Sequence, residues 1–292
     1  MRSSKELTKN LVTDDGEGRL ERLHRNAYLS NKGIDPKKSH QLDLFDVIAE
    51  RDDLRHIPND YARSSLFTVR NKREPRKTLV REKLFHYNEH VTILYTGIEL
   101  RAEDDELVWL QILNYGRSVP LGEPFEFEVK DVVKDVGWSR SGRNYDRVRE
   151  CISRLKANEV LALNSKAYGN SGSISLIHNY TSVNDDKGKP TRYRVWIAPS
   201  LMVLFAGGTF TSHDWETYRQ LSPVARRLVD YIDSHKYPYP LALERFKQMC
   251  GSEDTNTFSF RQTARRACLE VEKSGRATLA MVDKKDMICS QR

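Results

Sequence analysis

The 292-residue chain lacks long apolar runs, cysteine pairs and a leader-like start. Its longest apolar run near the middle, Leu201–Ala206, has six residues, whereas a membrane-spanning helix requires about 20. No apolar segment follows Met1, so we expect no secretory signal and a cytoplasmic protein. The four cysteines are scattered without a Cys-x-x-Cys pair, so we expect free thiols rather than disulfides or a zinc site.

Motifs of several enzyme classes are also missing. No glycine-rich Walker A loop is present, and none of the eight histidines belongs to the His-apolar-His pair of rolling-circle nicking enzymes. His86 and His90 lie four residues apart but lack the glutamate of an HExxH zinc site. Glu103–Glu106 could bind Mg²⁺, but carboxylates at a helix N-terminus explain them more simply. We therefore expect no enzymatic activity, no catalytic residue, no metal and no cofactor.

The charge of the chain is segregated along the sequence. The net charge is +7, and residues 70–83 carry 7 basic and 2 acidic side chains. Residues 91–137 carry 4 basic and 10 acidic side chains, residues 138–158 carry 6 and 2, and residues 258–276 carry 5 and 2. One basic block would suit a solvated helix face, but three separated blocks favour contacts with a polyanion such as nucleic acid.

The sequence predicts an α+β protein with four segments. Residues 1–55 contain few aromatic residues and little periodicity, which indicates a mobile N-terminal arm. Residues 56–90 are read as a basic connector. Residues 91–208 and 209–292 each show the same order of elements: a helix, a short helix ending at glycine, a turn, a basic helix and a β-hairpin. This order predicts two tandem winged-helix domains, each a helix-turn-helix closed by a β-hairpin wing.

The expected boundaries come from periodicity and capping residues. In the first domain we predict helices at 103–117, 130–136 and 143–157, and strands at 91–96, 125–129, 160–168, 173–183 and 192–197. In the second we predict helices at 223–235, 241–250 and 258–274, and strands at 277–282 and 287–290.

The third helix of a winged helix lies in the DNA major groove, where small and polar residues allow close approach and arginines reach phosphates and guanine. The predicted DNA-binding residues are Arg140, Ser141, Arg143, Asn144, Arg147 and Arg154 in the first domain, Lys187 and Lys189 in its wing, and Asn256, Ser259, Arg261, Gln262, Arg265 and Arg266 in the second domain.

A short peptide in the arm, Gln41–Phe45, carries two leucines and a phenylalanine in a polar surrounding. These apolar side chains dock either on the protein's own core or in the groove of a partner. In the second case Gln41 is a polar anchor and Leu44 and Phe45 fill pockets.

The chain from about Gln41 to its end resembles the TrfA-type replication initiators of IncP-like broad-host-range plasmids. The stretches that carry the resemblance are Gln41–Asp46, Pro58–Phe67, Arg70–Arg76, Glu103–Trp109, Leu204–Gly207 and Leu221–Arg227.

The resemblance implies binding of directly repeated origin sites, the iterons, with both winged helices on one double-stranded DNA. It implies melting of neighbouring AT-rich DNA, with single-stranded origin DNA as a further ligand, and recruitment of the host replicative helicase with DnaA. It implies an active monomer, a homodimer for copy control, and a peptide similar to the sliding-clamp-binding pentapeptide at Gln41, Leu42, Leu44 and Phe45.

The alternative is a winged-helix transcriptional repressor or copy-number regulator without initiator activity, which shares every DNA-binding feature. The clamp-binding-like peptide favours the initiator, since a repressor has no need of a clamp. RNA binding is disfavoured because the sequence shows no aromatic platform motif.

Overall fold

The computed structural model describes residues 51–117, 119, 122–164, 172–198, 201 and 210–292. Most of the predicted arm, with the peptide Gln41–Phe45, lies outside the described residues. Within these ranges, no helix combines the length and apolar character needed to cross a membrane.

Short strands alternate with helices along the described chain. In chain order the elements are β1 (Leu54–Pro58), α1 (Asn59–Ala62), β2 (Phe67–Thr68), β3 (Thr78–Leu84), β4 (Val91–Ile98), β5 (Leu100–Arg101), α2 (Asp105–Tyr115), β6 (Phe125–Glu128), α3 (Val129–Asp135), α4 (Gly142–Lys156), β7 (Asn158–Asn164), β8 (Gly172–Ile174), β9 (Asn179–Asn184), β10 (Pro190–Trp196), β11 (Phe210–Asp214), α5 (Trp215–Gln220), α6 (Pro223–Asp233), β12 (Leu241–Ala242), α7 (Leu243–Met249), α8 (Thr257–Lys273), β13 (Leu279–Val282) and β14 (Met287–Gln291).

Helices α2, α3 and α4 and the sheet β6-β10-β9 form the first winged helix. Strand β6 alternates, with Phe125 and Phe127 buried, and Phe127 lies opposite the buried Tyr193 of β10. Helix α4 buries Val148 and Ile152 at the spacing of one helical turn. The sheet packs against α2 and α3, and the hairpin β9–β10 forms the wing.

The second winged helix repeats this topology with α6, α7, α8 and the sheet β12-β14-β13. The hairpin β13–β14 pairs antiparallel, and β12 pairs with β14 as β6 pairs with β10. The order helix, strand, helix, helix, hairpin is the same in both halves, except that β7 and β8 stand between α4 and the hairpin of the first half. The prediction of an α+β fold with tandem winged helices is confirmed.

The turn before each third helix has the same construction. Helices α3 and α7 end before Gly137 and Gly251, whose φ angles are 77° and 58°. In both turns the glycine N–H donates to the carbonyl three residues back, and the next N–H donates to the carbonyl five residues back. This glycine-ended helix turn requires a left-handed residue, which explains why glycine stands at both equivalent positions.

The segment 56–90, expected as a basic connector, is folded in the structure. Strand β1 pairs with β11, and β3 pairs with β4 in a sheet of order β3-β4-β7-β8. Ile57, Tyr61 and Phe67 are fully buried. The many charged residues of this segment made it look like a solvent-exposed linker. In addition, β1 pairs with a strand more than 150 residues away, and local sequence patterns do not indicate such a pairing.

The strands after α4 also differ from expectation. Residues 160–164 of the predicted strand 160–168 belong to β7, which pairs with β4 rather than with the wing. Residues 165–168 lie outside the described residues. The predicted strand 173–183 divides into β8 and β9, and only β9 belongs to the wing. The described parts of both segments are β-rich as predicted, but the extra sheet has no counterpart in a plain winged helix.

A buried arginine joins the two winged helices. Arg227 of α6 is 0% exposed and donates to Glu106 of α2 at 3.0 Å and to Asp230 at 2.7 Å. The same guanidinium donates to the carbonyls of Ala62 and Ser64 at 2.7 and 2.6 Å. Burial alone lowers the pKa of Arg227, but the two carboxylates outweigh it and raise the pKa, so the arginine stays charged.

Titratable groups of three elements meet at this junction. His213 of β11 lies with its ring nitrogens 2.9 Å from Asp230 and 3.4 Å from Asp233. Burial opposes its charge, but these aspartates raise the pKa of His213 to about 9. Burial, followed by the charge of Asp230, raises the pKa of Glu106 to about 7. The junction is therefore a buried ionic cluster that fixes one winged helix against the other.

Candidate nucleic-acid interface

The N-terminal end of α4 presents cations to solvent. Ser141 caps the helix, since its Oγ accepts a hydrogen bond from the N–H of Asn144 at 3.4 Å. The side-chain amide of Asn144 donates to the carbonyl and hydroxyl oxygens of Ser139, at 2.8 and 3.0 Å. Arg140 and Arg143 flank the cap and are exposed. This end combines free cations, a positive helix terminus and no bulky side chain at Gly142, which suits close approach to a phosphate backbone.

Two of the predicted arginines face the protein instead. The guanidinium of Arg147 lies 4.1 Å from the ring centroid of Trp138 and 3.5 Å from Asp104. Arg154 donates to Asp105 at 2.9 Å, and its side chain is only 10% exposed. Arg154 thus holds α4 against α2, and a DNA contact by this residue stays a prediction.

The acidic segment at the start of α2 is matched by arginines of the chain itself. Asp104 caps the helix by accepting the N–H of Asp105 at 2.9 Å. Arg76 binds Asp104 and Asp105 at 2.8 and 2.6 Å. Burial, followed by the charge of Asp104, raises the pKa of Asp105 to about 6. Ligand atoms of Asp104, Asp105 and Cys151 lie within 4.8 Å of one another, but arginine side chains already neutralise the two carboxylates.

The basic block 70–83 divides between the fold and the surface. Arg70 binds the buried Glu99 at 2.9 Å, and Arg76 binds the start of α2 as described. Arg73, Arg81 and Lys83 are exposed. The charge of this block therefore serves packing on the first domain at least as much as it is available to a polyanion.

The first wing lies beside α4. Its turn is held by Asp185, whose side chain accepts the N–H groups of Lys187 and Lys189, both at 2.9 Å. The ammonium of Lys189 lies 3.0 Å from Asp146 of α4, and Lys187 is exposed. Arg149, which the sequence reasoning did not single out, donates to the carbonyl that begins β10 at 2.7 Å.

The start of α8 is built like that of α4. The Oδ1 of Asn256 accepts the N–H groups of Phe258 and Ser259 at 3.0 and 3.2 Å. Arg265 and Arg266 are exposed on this helix, and Gln262 is half-buried. Asn256 and Ser259 thus lie at a capped, positive helix terminus, and Arg265 and Arg266 are exposed about two turns further along the same helix.

An ion pair also joins α8 to the second wing. Arg261 binds Asp286 at 3.0 Å and donates to the carbonyl of Asp283 at 2.9 Å, both in the hairpin turn. In each domain, then, an ion pair links the wing to the third helix. Lys284 and Lys285 are exposed in the same turn and were not among the predicted site residues.

Sequence reasoning also missed Phe258, which is 69% exposed on the first turn of α8. The exposure of Phe258 could have been inferred from its position two residues before Phe260, which is buried. Residues two apart on a helix point to nearly opposite sides, so only one of the two rings could enter the core.

The sequence model of a family described as TrfA protein matches residues 18–292. The plasmid replication initiator protein TrfA from Escherichia coli is 47% identical over 247 residues, which make up 84% of this chain and 64% of that protein. The chain therefore spans less than two thirds of the length of that relative.

A crystal structure of domains 2 and 3 of RctB resembles the chain with a TM-score of 0.53 and 13% identity, covering 80% of this chain and 96% of that one. At this identity the likeness concerns the fold alone, and it agrees with two winged helices in tandem.

Proposed function

Because the chain belongs to the TrfA protein family, we propose that it initiates plasmid replication by binding directly repeated sites, the iterons, at a plasmid origin. The observation that carries the proposal is the repetition of one DNA-reading arrangement. Two winged helices whose sheets have the same strand order each expose arginines beside a side-chain-capped third helix. A single such helix is common, but two on one body suit a reader of one extended duplex site.

Both winged helices act on the same duplex in this proposal. The buried cluster around Arg227 and Glu106 fixes their relative position, so binding by one helix places the other. A fixed arrangement avoids the loss of rotational freedom that two loosely linked modules would suffer on binding. Arg140, Arg143 and Lys187 are the exposed contacts of the first domain, and Arg265 and Arg266 those of the second.

In this proposal, the free energy of DNA binding drives the melting of the AT-rich segment. The sequence contains no Walker A loop, so we propose that the chain does not hydrolyse ATP and is not an enzyme. Bending of the duplex and capture of one strand in an adjacent AT-rich segment would supply the distortion. A purified preparation with metal-dependent ATP turnover would overturn this part.

The proposed host partners are the replicative helicase, DnaA and the sliding clamp. The clamp contact is assigned to Gln41, Leu42, Leu44 and Phe45, which lie outside the described residues. We further propose that the monomer is active and that a homodimer serves copy control. The protein acts in the cytoplasm on its plasmid.

The first experiment measures binding across a salt series. The full chain selects a consensus duplex from a randomised pool, and its affinity for that duplex is compared with that for a scrambled duplex of equal length. We expect the selected duplex to bind at least 10³-fold more tightly, with a salt slope of about −0.9 per phosphate contact. Equal and steeply salt-sensitive binding to both duplexes would overturn the proposal.

The clamp contact has its own experiment. Deleting Leu44 and Phe45 should abolish capture on an immobilised bacterial sliding clamp and leave binding to the selected duplex unchanged. Replacing Asp43 with alanine is the matched control, since Asp43 lies in the same peptide between the anchor and the apolar pair. Equal capture of the deletion variant and the intact chain would remove the clamp from the proposal.

A further inference from the structure

Phe258 is an apolar side chain placed in the middle of a polar surface. It is 69% exposed, whereas Phe260 on the opposite side of the same helix is 3% exposed and packs its ring 6.0 Å from that of Phe246. Among the described residues, Phe258 has no aromatic partner. A single exposed apolar side chain is common on protein surfaces, so what distinguishes Phe258 is its position on α8 rather than its exposure.

The ring belongs to the outward stripe of α8. Phe258, Gln262 and Arg265 follow one another at spacings of four and three residues, which places them on one helix face. Arg265 is exposed, and the first turn of the helix contains no acidic residue. The stripe therefore offers an apolar group, an amide and a cation along about two turns.

The backbone under the ring is held in place. The N–H of Phe258 donates to the side chain of Asn256 at 3.0 Å, so the residue is part of the helix cap itself. The N-terminal residues of a recognition helix are those that reach the base edges. Phe258 is thus at the depth where bases, rather than phosphates, are contacted.

The major groove offers one apolar group, the 5-methyl group of thymine. On this basis we propose that Phe258 contacts a thymine methyl group and determines sequence specificity for the second winged helix. The inference rests on the proposed function, because it requires α8 to lie in the major groove of the selected duplex. Arg265 and Gln262 on the same stripe supply the hydrogen bonds that fix the register around this contact.

The test removes the methyl group from the DNA and the ring from the protein. Each thymine of the selected duplex is replaced in turn by deoxyuridine, which lacks only the methyl group. For the intact chain, affinity should fall about four-fold at one or two positions, as expected for one buried methyl-sized group. Phe258→Ala should bind the thymine duplex roughly ten-fold more weakly and show no further loss with deoxyuridine there.

Two variants serve as controls. Leu269→Ala removes another exposed apolar side chain, 54% exposed and eleven residues further on the same face, and should keep the four-fold deoxyuridine loss. Phe258→Leu should keep part of the affinity loss caused by deoxyuridine, because leucine is also apolar. The inference is overturned if no thymine-to-deoxyuridine replacement lowers the affinity of the intact chain. It is also overturned if the sensitive replacement lowers the affinity of Phe258→Ala as much as that of the intact chain. In either case, retained preference for the selected over the scrambled duplex would leave the proposed function standing. Loss of that preference in the intact chain would overturn both.

Discussion

Replacing Arg227 with methionine should weaken the junction between the two winged helices. Arg227 is 0% exposed and is hydrogen-bonded to two carboxylates and three backbone carbonyls. The substitution keeps much of the apolar volume but leaves Glu106 and Asp230 buried without this partner. Removing one member of a buried ionic pair costs about 3–5 kcal/mol. Since whole domains are stable by about 5–15 kcal/mol, the loss is a large share of the total.

The assay is urea unfolding of the full chain, followed by circular dichroism. The matched control is Arg192→Met, because Arg192 binds Glu128 at 3.2 Å with half of its side chain exposed, and such pairs contribute about 1 kcal/mol or less. We expect Arg227→Met to separate the unfolding of the two winged helices into two transitions. A single transition with a loss below about 1 kcal/mol would refute the view that this cluster joins the domains.

Three further predictions concern separate parts of the molecule. His213 has a pKa raised to about 9 from 6.5, so its stabilising charge is fully present below pH 6.5 and is lost as pH rises through 9. The free energy of unfolding should fall by about 3 kcal/mol between pH 6.5 and 9.5. The prediction would be contradicted if the unfolding free energy of His213→Gln depended on pH in the same way as that of the intact chain. Gly251→Ala places a methyl group 2.7 Å from Thr68 at a φ of +58°, and should cost about 1–3 kcal/mol in thermal unfolding. A Cβ added at Gly142 meets no atom within 4 Å, so Gly142→Ala should not lower the thermal stability. Equal effects of the two substitutions would show that the turn at Gly251 is not constrained. Arg265→Ala should weaken binding to the selected duplex by about 1–3 kcal/mol, whereas equal loss on a scrambled duplex would mark a phosphate contact only.

The helices of the two winged helices were predictable from sequence because their signals are local, whereas the short α1 and α5 were not predicted. Ser141, Ser222 and Asn256 each cap a helix within one residue of the expected start. Gly137 and Gly251 mark equivalent turns, and this repetition was enough to predict two winged helices. Each of these signals depends on neighbours within five residues, which a single sequence displays.

The first sheet and the junction were not predictable in this way. Strand β1 pairs with β11 across more than 150 residues, and β7 pairs with β4 rather than with the adjacent hairpin. In the sequence, Arg227 was visible only as the last residue of the stretch Leu221–Arg227 that carries the family resemblance, because its partner Glu106 lies 121 residues earlier. Long-range pairing leaves no periodic trace in the sequence of either partner.

The candidate site was predicted as a surface but not residue by residue. Arg143 and Arg154 both lie on α4 and look alike in sequence, yet one is exposed and the other is bound to Asp105. Their environments are set by α2, which packs on one side of α4. Phe258 was not among the predicted site residues, because a phenylalanine on a helix is ordinarily assigned to the core.

The most direct test of the account is a hydroxyl-radical footprint on the selected duplex, made with the intact chain, Arg143→Ala and Arg265→Ala. If both winged helices read one site, the intact chain protects a single continuous region. Each variant should then lose protection at a different end of it. Protection that is lost over the whole region in one variant and unchanged in the other would contradict tandem reading, because only one helix would then contact the DNA.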